Sequence, residues 1–307
     1  MMHCRSHWRP LLIAGLLVLS QTPAGHAADL SETALQVPVE VTNVTSTPVR
    51  RPVSVFVVRD LGRARGPYLV LLHGRPPDPA RRLAMGMQTY PANARYFAEQ
   101  GFVVLIPTRI GYGVTGGPDL EFTGDCDAKN FQAGVDPAVE ETKAIVHYVA
   151  TLPYVDPTRG LVVGESFGGL VAVAAAGAGI AGLQGVVNVA GGDGGDSVRH
   201  VDQPCQPERL AAQLERWGAV SHVPTLWMYS ANDRFWGPRW PTVWFHAFEA
   251  AGGQGRYVPL PADKNNGHFI FTRNAPAWHP AFESFVNRLG FAVPAARPSG
   301  GATVSTP

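Results

Sequence analysis

Two kinds of hydrophobic pattern divide this chain. In "LQVPVEVTN" (35–43) and "RPVSVFVVRD" (51–60) apolar and polar residues alternate. Period-two alternation predicts strands with one face covered and one exposed, here an antiparallel pair. From "PYLVLLHG" (67–74) onward the pattern changes. Near-continuous apolar runs predict strands covered on both faces: "FVVLIPT" (102–108), "GLVVGES" (160–166), "GLQGVVNVAGG" (182–192), "VPTLWMYSAND" (223–233) and "GRYVPLP" (255–261). Between them lie segments with helical spacing of apolar residues: "NARYFAEQG" (93–101), "DPAVEETKAIVHYVATLP" (136–153), "FGGLVAVAAAGAG" (167–179), "RWPTVWFHAFEAAGG" (239–253) and "HPAFESFVNRLG" (279–290). Gly101 stands where a helix C-terminus needs a left-handed residue. Pro137 stands where a first helical turn tolerates one.

Strands alternating with helices predict an α/β fold: a mainly parallel sheet with helices on both faces, preceded by the antiparallel strand pair. Two long irregular stretches remain, 108–134 and 191–224, the second holding a short helix around "PERLAAQLERW". Each follows a strand, so each belongs at the carboxyl edge of the sheet, where such folds bind ligands.

The ends read differently. "MMHCRSHWRP" carries Arg5 and Arg9, "LLIAGLLVLS" is apolar, and "QTPAGHA" ends in small residues. That layout predicts a secretory signal peptide over 1–27, cleaved after Ala27 or Ala28. Ten apolar residues are too few for a membrane anchor, which needs about 20. Residues 28–291 then form one catalytic-size domain, and 292–307, "AVPAARPSGGATVSTP", read as a disordered tail. The expected product is secreted or periplasmic, without stable membrane insertion. Cys4 leaves with the signal peptide, so Cys126 and Cys205 are the remaining pair. In an oxidising compartment they are expected to form a disulfide that ties the two long loops together.

Charged residues make up 16% of the chain and the net charge is +1. With no basic run, nucleic acid is not an expected partner. No His/Cys/Asp cluster has metal-ligand spacing, and neither a metal nor another cofactor is called for. The sequence says nothing of oligomeric state.

The candidate chemistry sits in "LVVGESFGGL" (161–170). With 34 Gly among 307 residues, chance supplies roughly 0.15 copies of Gly-x-Ser-x-Gly. The pattern gains meaning from its place between a predicted strand and a predicted helix, the context of a nucleophile elbow. A sharp turn there exposes the Ser166 hydroxyl, and Gly164, Gly168 and Gly169 let strand and helix cross closely. Phe167 N–H, at the helix start, is then aimed at a developing oxyanion. The elbow fold orders its partners serine, acid, histidine. Asp233 follows the strand "VPTLWMYS". His268 lies in the Gly/Asn loop after the last strand. His200 and His222 precede Asp233, His246 lies inside a helix, and His279 starts one. Asp263, the rival acid, shares the histidine's own loop. The second oxyanion donor is expected from "LLHGRPPDP", at Arg75 N–H, with His73 buttressing the loop. Tyr112 and Trp236 are candidate pocket residues; the stripe Trp236, Trp240, Trp244 otherwise reads as packing. The Glu165 side chain is expected to point away from the serine.

"LLHG", "RIGYGVTGG", "VVGESFGG", "SANDRFW" and "NNGHFIF" together resemble the α/β-hydrolase superfamily, most nearly its dienelactone-hydrolase-like branch, over about residues 50–290. Dienelactone hydrolases proper use a cysteine nucleophile, and this chain has a serine. The resemblance therefore implies hydrolysis of small or medium carboxylic esters through an acyl-enzyme, and not the lactone substrate. Two other classes stay open. One is a serine peptidase or acyl-peptidase on the same fold, usually accompanied by a propeller or cap domain for which these residues leave no room. The other is an inactive binding protein.

Overall fold

The computed structural model describes residues 28–42 and 46–291. The expected signal peptide and tail lie outside these residues. Eight strands form one sheet in the order β1-β2-β4-β3-β5-β6-β7-β8. Strands β1 (Leu30–Thr42) and β2 (Pro48–Asp60) pair antiparallel along their whole length. β2 also runs antiparallel to β4 (Val103–Thr108). From β4 onward every neighbour is parallel: β3 (Gly66–Leu72), β5 (Val155–Glu165), β6 (Leu183–Val189), β7 (Thr225–Ser230) and β8 (Gly255–Leu260).

The strand pattern explains where the core lies. β3 sends Tyr68, Val70 and Leu72 to one face and Leu69 and Leu71 to the other, all fully buried. On the first face pack α3 (Phe131–Val149), α4 (Phe167–Ala175), α5 (Pro207–Val220) and α6 (Trp240–Ala250). On the second pack α2 (Pro91–Glu99), α7 (Ile270–Arg273) and α8 (Ala275–Arg288). A short helix, α1 (Pro79–Ala84), follows β3 and lies at the rim. The α/β architecture with an antiparallel entry is as expected.

Several boundaries differ, among them the starts of β1, β5 and two helices. α3 begins at Phe131, capped by the Asn130 side chain accepting from Ala133 N–H, so Pro137 lies inside the helix rather than in its first turn. α8 begins at Ala275, and His279 sits within it, stacked on Tyr96 with ring centroids 3.6 Å apart. In both cases the proline marks an interior position that packing tolerates, and reading it as a start signal shortens the helix. A single 3₁₀ turn, Gly267–Phe269, also stands where sequence suggested only loop, and it carries His268.

Candidate active site

Ser166 sits between β5 and α4 with φ 56° and ψ −125°. A side-chain-bearing residue at positive φ is strained. The strain is held by contacts on both sides: Ser166 N–H donates to Val189 O at 3.0 Å, and its carbonyl accepts from Leu170 N–H at 3.2 Å. Glycine is required around it. A Cβ on Gly164 would strike the carbonyl of Gly168, and one on Gly168 would strike that of Leu72. The elbow thus exists because residues 164, 168 and 169 lack side chains.

The C-terminal strands deliver the partners. Asp233 lies just past β7 and is 1% exposed. Its Oδ1 accepts from Phe235 N–H (2.8 Å) and Trp236 N–H (3.3 Å), which fixes the carboxylate. Its Oδ2 lies 2.9 Å from His268 Nδ1. His268 Nε2 lies 3.0 Å from Ser166 Oγ. The Asn266 side chain caps the 3₁₀ turn by accepting from His268 N–H. Asp263 instead accepts from the Asn274 side chain. The structure therefore brings together the three residues singled out in the sequence. Phe235 packs on the imidazole with ring centroids 4.1 Å apart and planes tilted by 30°, and Trp236 meets it edge-on at 5.5 Å.

Phe167 opens α4, so its N–H has no partner within the helix. The loop after β3 runs against the elbow: a Cβ on Gly74 would lie 3.2 Å from Ser166 Cβ. Arg75, the next residue, lines both cavities beside Ser166, and no hydrogen bond to its N–H is seen among the described residues. Its guanidinium grips Asp119 with two bonds of 2.7 Å. Beneath the loop, His73 is fully buried, with Nδ1 2.8 Å from Gly74 O and Nε2 accepting from Arg109 N–H at 3.2 Å. Burial and the nearby Arg109 hold this imidazole neutral, well below the usual histidine range. Arg109 in turn pairs with buried Glu121 at 2.5 Å and donates to His73 O.

Ser166 forms part of the wall of two cavities. The larger, about 410 Å³, is bounded by Phe167, Phe122, Trp236, Lys129, Asp193 and Cys126. The smaller, about 250 Å³, includes Gly74, Gln88, Tyr90, Glu165, His268 and Phe269. Trp236 is a pocket wall, anchored by its indole N–H to Ala190 O at 2.7 Å and packed against Trp244. Tyr112 is not. It is fully buried, with its hydroxyl on Glu121 and on the Arg75 side chain, and it stands behind the loop that follows β3. Within 109–130 the stretch around Tyr112 is packed inside, where Arg109 and Glu121 neutralise each other, while 122–126 borders the larger cavity.

Cys126 and Cys205 are joined, with Cα atoms 4.9 Å apart and 79 residues of separation. A loop of that length gives roughly 4 kcal/mol of stabilisation in the chain-entropy account. Beside the bond, Lys129 Nζ meets Asp193 at 3.0 Å and Cys205 N–H donates to Gly194 O at 2.9 Å. The two long loops are tied along one edge of the larger cavity.

Glu165 departs from expectation. Its side chain lines the smaller cavity with Ser166 and His268, and it accepts from Tyr90 Oη–H at 2.9 Å. Burial raises its carboxyl above the usual range. A residue at the end of a doubly covered strand can face either layer or the edge, so alternation could not decide its direction. Among the described residues no helix is long and apolar enough to cross a membrane. Among them, too, no group of three or more His, Cys, Asp or Glu is placed to hold a metal ion.

Residues 69–301 match the model of the alpha/beta hydrolase family. No curated protein matches the sequence. Among solved structures the chain is similar to a candidate dienelactone hydrolase from Klebsiella pneumoniae (16% identity, 85% of this chain and 98% of that one, TM-score 0.52). It is also similar to an acetyl xylan esterase from Paenibacillus sp. R4 (16%, 86% and 89%, TM-score 0.54). A third is the acylaminoacyl peptidase of Pyrococcus horikoshii (12%, 88% of this chain but 43% of that one, TM-score 0.52). At these identities the likeness is one of fold.

Proposed function

The chain belongs to the alpha/beta hydrolase family, and on that footing we propose that it is a secreted or periplasmic serine hydrolase of small or medium carboxylic esters. The observation that carries the reading is the continuous hydrogen-bonded line from Ser166 Oγ through His268 to Asp233, at 3.0 and 2.9 Å, on a strained elbow that opens into two cavities. Export is supported by the layered N-terminal sequence and by the Cys126–Cys205 bond.

A serine hydroxyl needs a base to react. As Ser166 Oγ attacks the acyl carbon, its proton passes to His268 Nε2. Asp233 accepts from Nδ1–H, which sets the tautomer and steadies the cation that forms. The carbonyl oxygen, now negative, takes hydrogen bonds from Phe167 and Arg75 N–H. The imidazolium returns the proton to the departing alkoxide as the C–O bond breaks. Water then adds to the acyl-enzyme with His268 as base, and Ser166 regains its proton as the acid leaves.

The test pairs a series of short acyl esters with the corresponding aminoacyl amides, using the wild type and Ser166→Ala. Ester turnover that vanishes in the variant is the expected result. Amide turnover exceeding ester turnover would favour the peptidase reading. No turnover of either, from folded protein, would leave only a binding role.

A further inference from the structure

The two cavities are not equivalent toward the reacting serine. His268 lines the smaller and not the larger; Phe167 lines the larger and not the smaller. In acyl transfer the imidazolium gives its proton to the leaving oxygen, so that oxygen must depart on the histidine's side. The acyl half then extends into the larger cavity. The smaller one, at about 250 Å³, falls below the roughly 300–1,000 Å³ of sites for drug-sized ligands. It suits a short alcohol.

Glu165 marks this smaller cavity chemically. It is 8% exposed, and among the described residues no ion pair includes it. A carboxyl group keeps acceptor positions beyond one whether ionised, with about four, or protonated, with fewer, and one side-chain donor is seen, the Tyr90 hydroxyl. Tyr90 itself is held at φ 43° as the cap residue of α2, a conformation that costs energy in a tyrosine. Its hydroxyl fixes one carboxyl oxygen and leaves acceptor capacity toward the cavity. The comparison with Glu141 is instructive. That carboxyl is equally buried, but it accepts from Ile110 N–H and lines neither cavity beside the serine.

We infer that the smaller cavity receives the leaving alcohol and that Glu165 selects there for a short alcohol bearing a second hydroxyl, as in monoesters of glycols and polyols. A cationic alcohol fits less well. His268 and Arg273 both bear on Glu165 electrostatically, the first becomes positive during the reaction, and Arg81 lines the same cavity. A neutral donor satisfies the acceptor without opposing them. A site that hydrogen-bonds a hydroxyl rejects the analogue lacking it, because its own polar group is left unpaired.

This inference rests on the ester-hydrolase reading, and three esters of one acid separate the two: propyl, 2-hydroxyethyl and 2-trimethylammonioethyl, each rate divided by that ester's alkaline hydrolysis rate. The expected result is kcat/KM for the hydroxyethyl ester roughly tenfold or more above that for the propyl ester, with the cationic ester no better than hydroxyethyl. Glu165→Leu should bring the hydroxyethyl and propyl esters level, while Glu165→Gln, which keeps an acceptor oxygen, should retain part of the difference. Equal turnover of propyl and hydroxyethyl esters by the wild type would overturn the inference, and that comparison needs no variant to fold. So would preference for the cationic ester, or an unchanged ratio in folded Glu165→Leu. Failure to cleave any of the three would instead count against ester hydrolysis itself.

Discussion

His73 and His268 are both buried, and both are hydrogen-bonded at each ring nitrogen, yet the two sites can do opposite things. His73 Nδ1 faces the Gly74 carbonyl and Nε2 accepts from the Arg109 backbone N–H. Its one lone pair is occupied by a donor that cannot give up its proton, and a fixed guanidinium lies close by. Proton uptake there would break a bond and add like charge. His268 Nδ1 faces a carboxylate and Nε2 faces a serine hydroxyl. Its lone pair points at a proton that can move, and the charge created has a counter-ion behind it. A buried histidine is a base only where both conditions hold. On this account the sheet edge supports one reactive cluster and one structural cluster, which meet where Gly74 lies against Ser166.

The largest expected effect separates them cleanly. Asp233→Asn keeps an oxygen for the Phe235 and Trp236 N–H groups but turns an amide toward His268 Nδ1. Ester kcat should fall on the order of 10³–10⁴-fold, with little change in the denaturation midpoint. Glu121→Gln should behave in the reverse way. It leaves the Arg109 guanidinium buried with half its partner, which costs about 3–5 kcal/mol in chemical denaturation, while kcat of the folded enzyme changes less than about tenfold. A kcat loss matching that of Asp233→Asn would break the distinction between the clusters.

A smaller effect sharpens it. Glu141, behind the same network, is pushed up to about 8 by burial. Between the ordinary carboxyl range and that value the folded protein holds a proton that the unfolded chain has released. Stability conferred by the protonated form is therefore present at low pH and declines as pH rises through this window, by about 1.4 kcal/mol per pH unit. Glu141→Gln should flatten that slope between about pH 4.5 and 8 in denaturation curves. A slope unchanged from wild type would show that Glu141 is ionised in the fold.

The proposed reactive cluster was legible in the sequence because each of its members is announced by something local. Ser166 has glycines that only a tight strand-to-helix crossing requires. Asp233 and His268 each follow a strand whose apolar run is plain. The structural cluster was not legible. Arg109, Glu121 and Glu141 come from an irregular loop and a helix, with no period linking them, and a charged residue reads as exposed until its partner is known. Tyr112 reads as a pocket residue for the same reason, since nothing local reveals the Glu121 and Arg75 groups that hold it inside. Glu165 shows a third kind of limit. Its neighbour's role was clear, but the direction of its own side chain depends on α2 and on Tyr90, 75 positions away in sequence.

The most direct test of the central claim is covalent. Native protein treated with a fluorophosphonate, then digested and mapped by mass spectrometry, should carry the adduct on Ser166, with labelling lost in Ser166→Ala and slowed in Asp233→Asn. An adduct on a different residue, or none on folded wild-type protein, would contradict the assignment of Ser166, His268 and Asp233 as the reactive cluster.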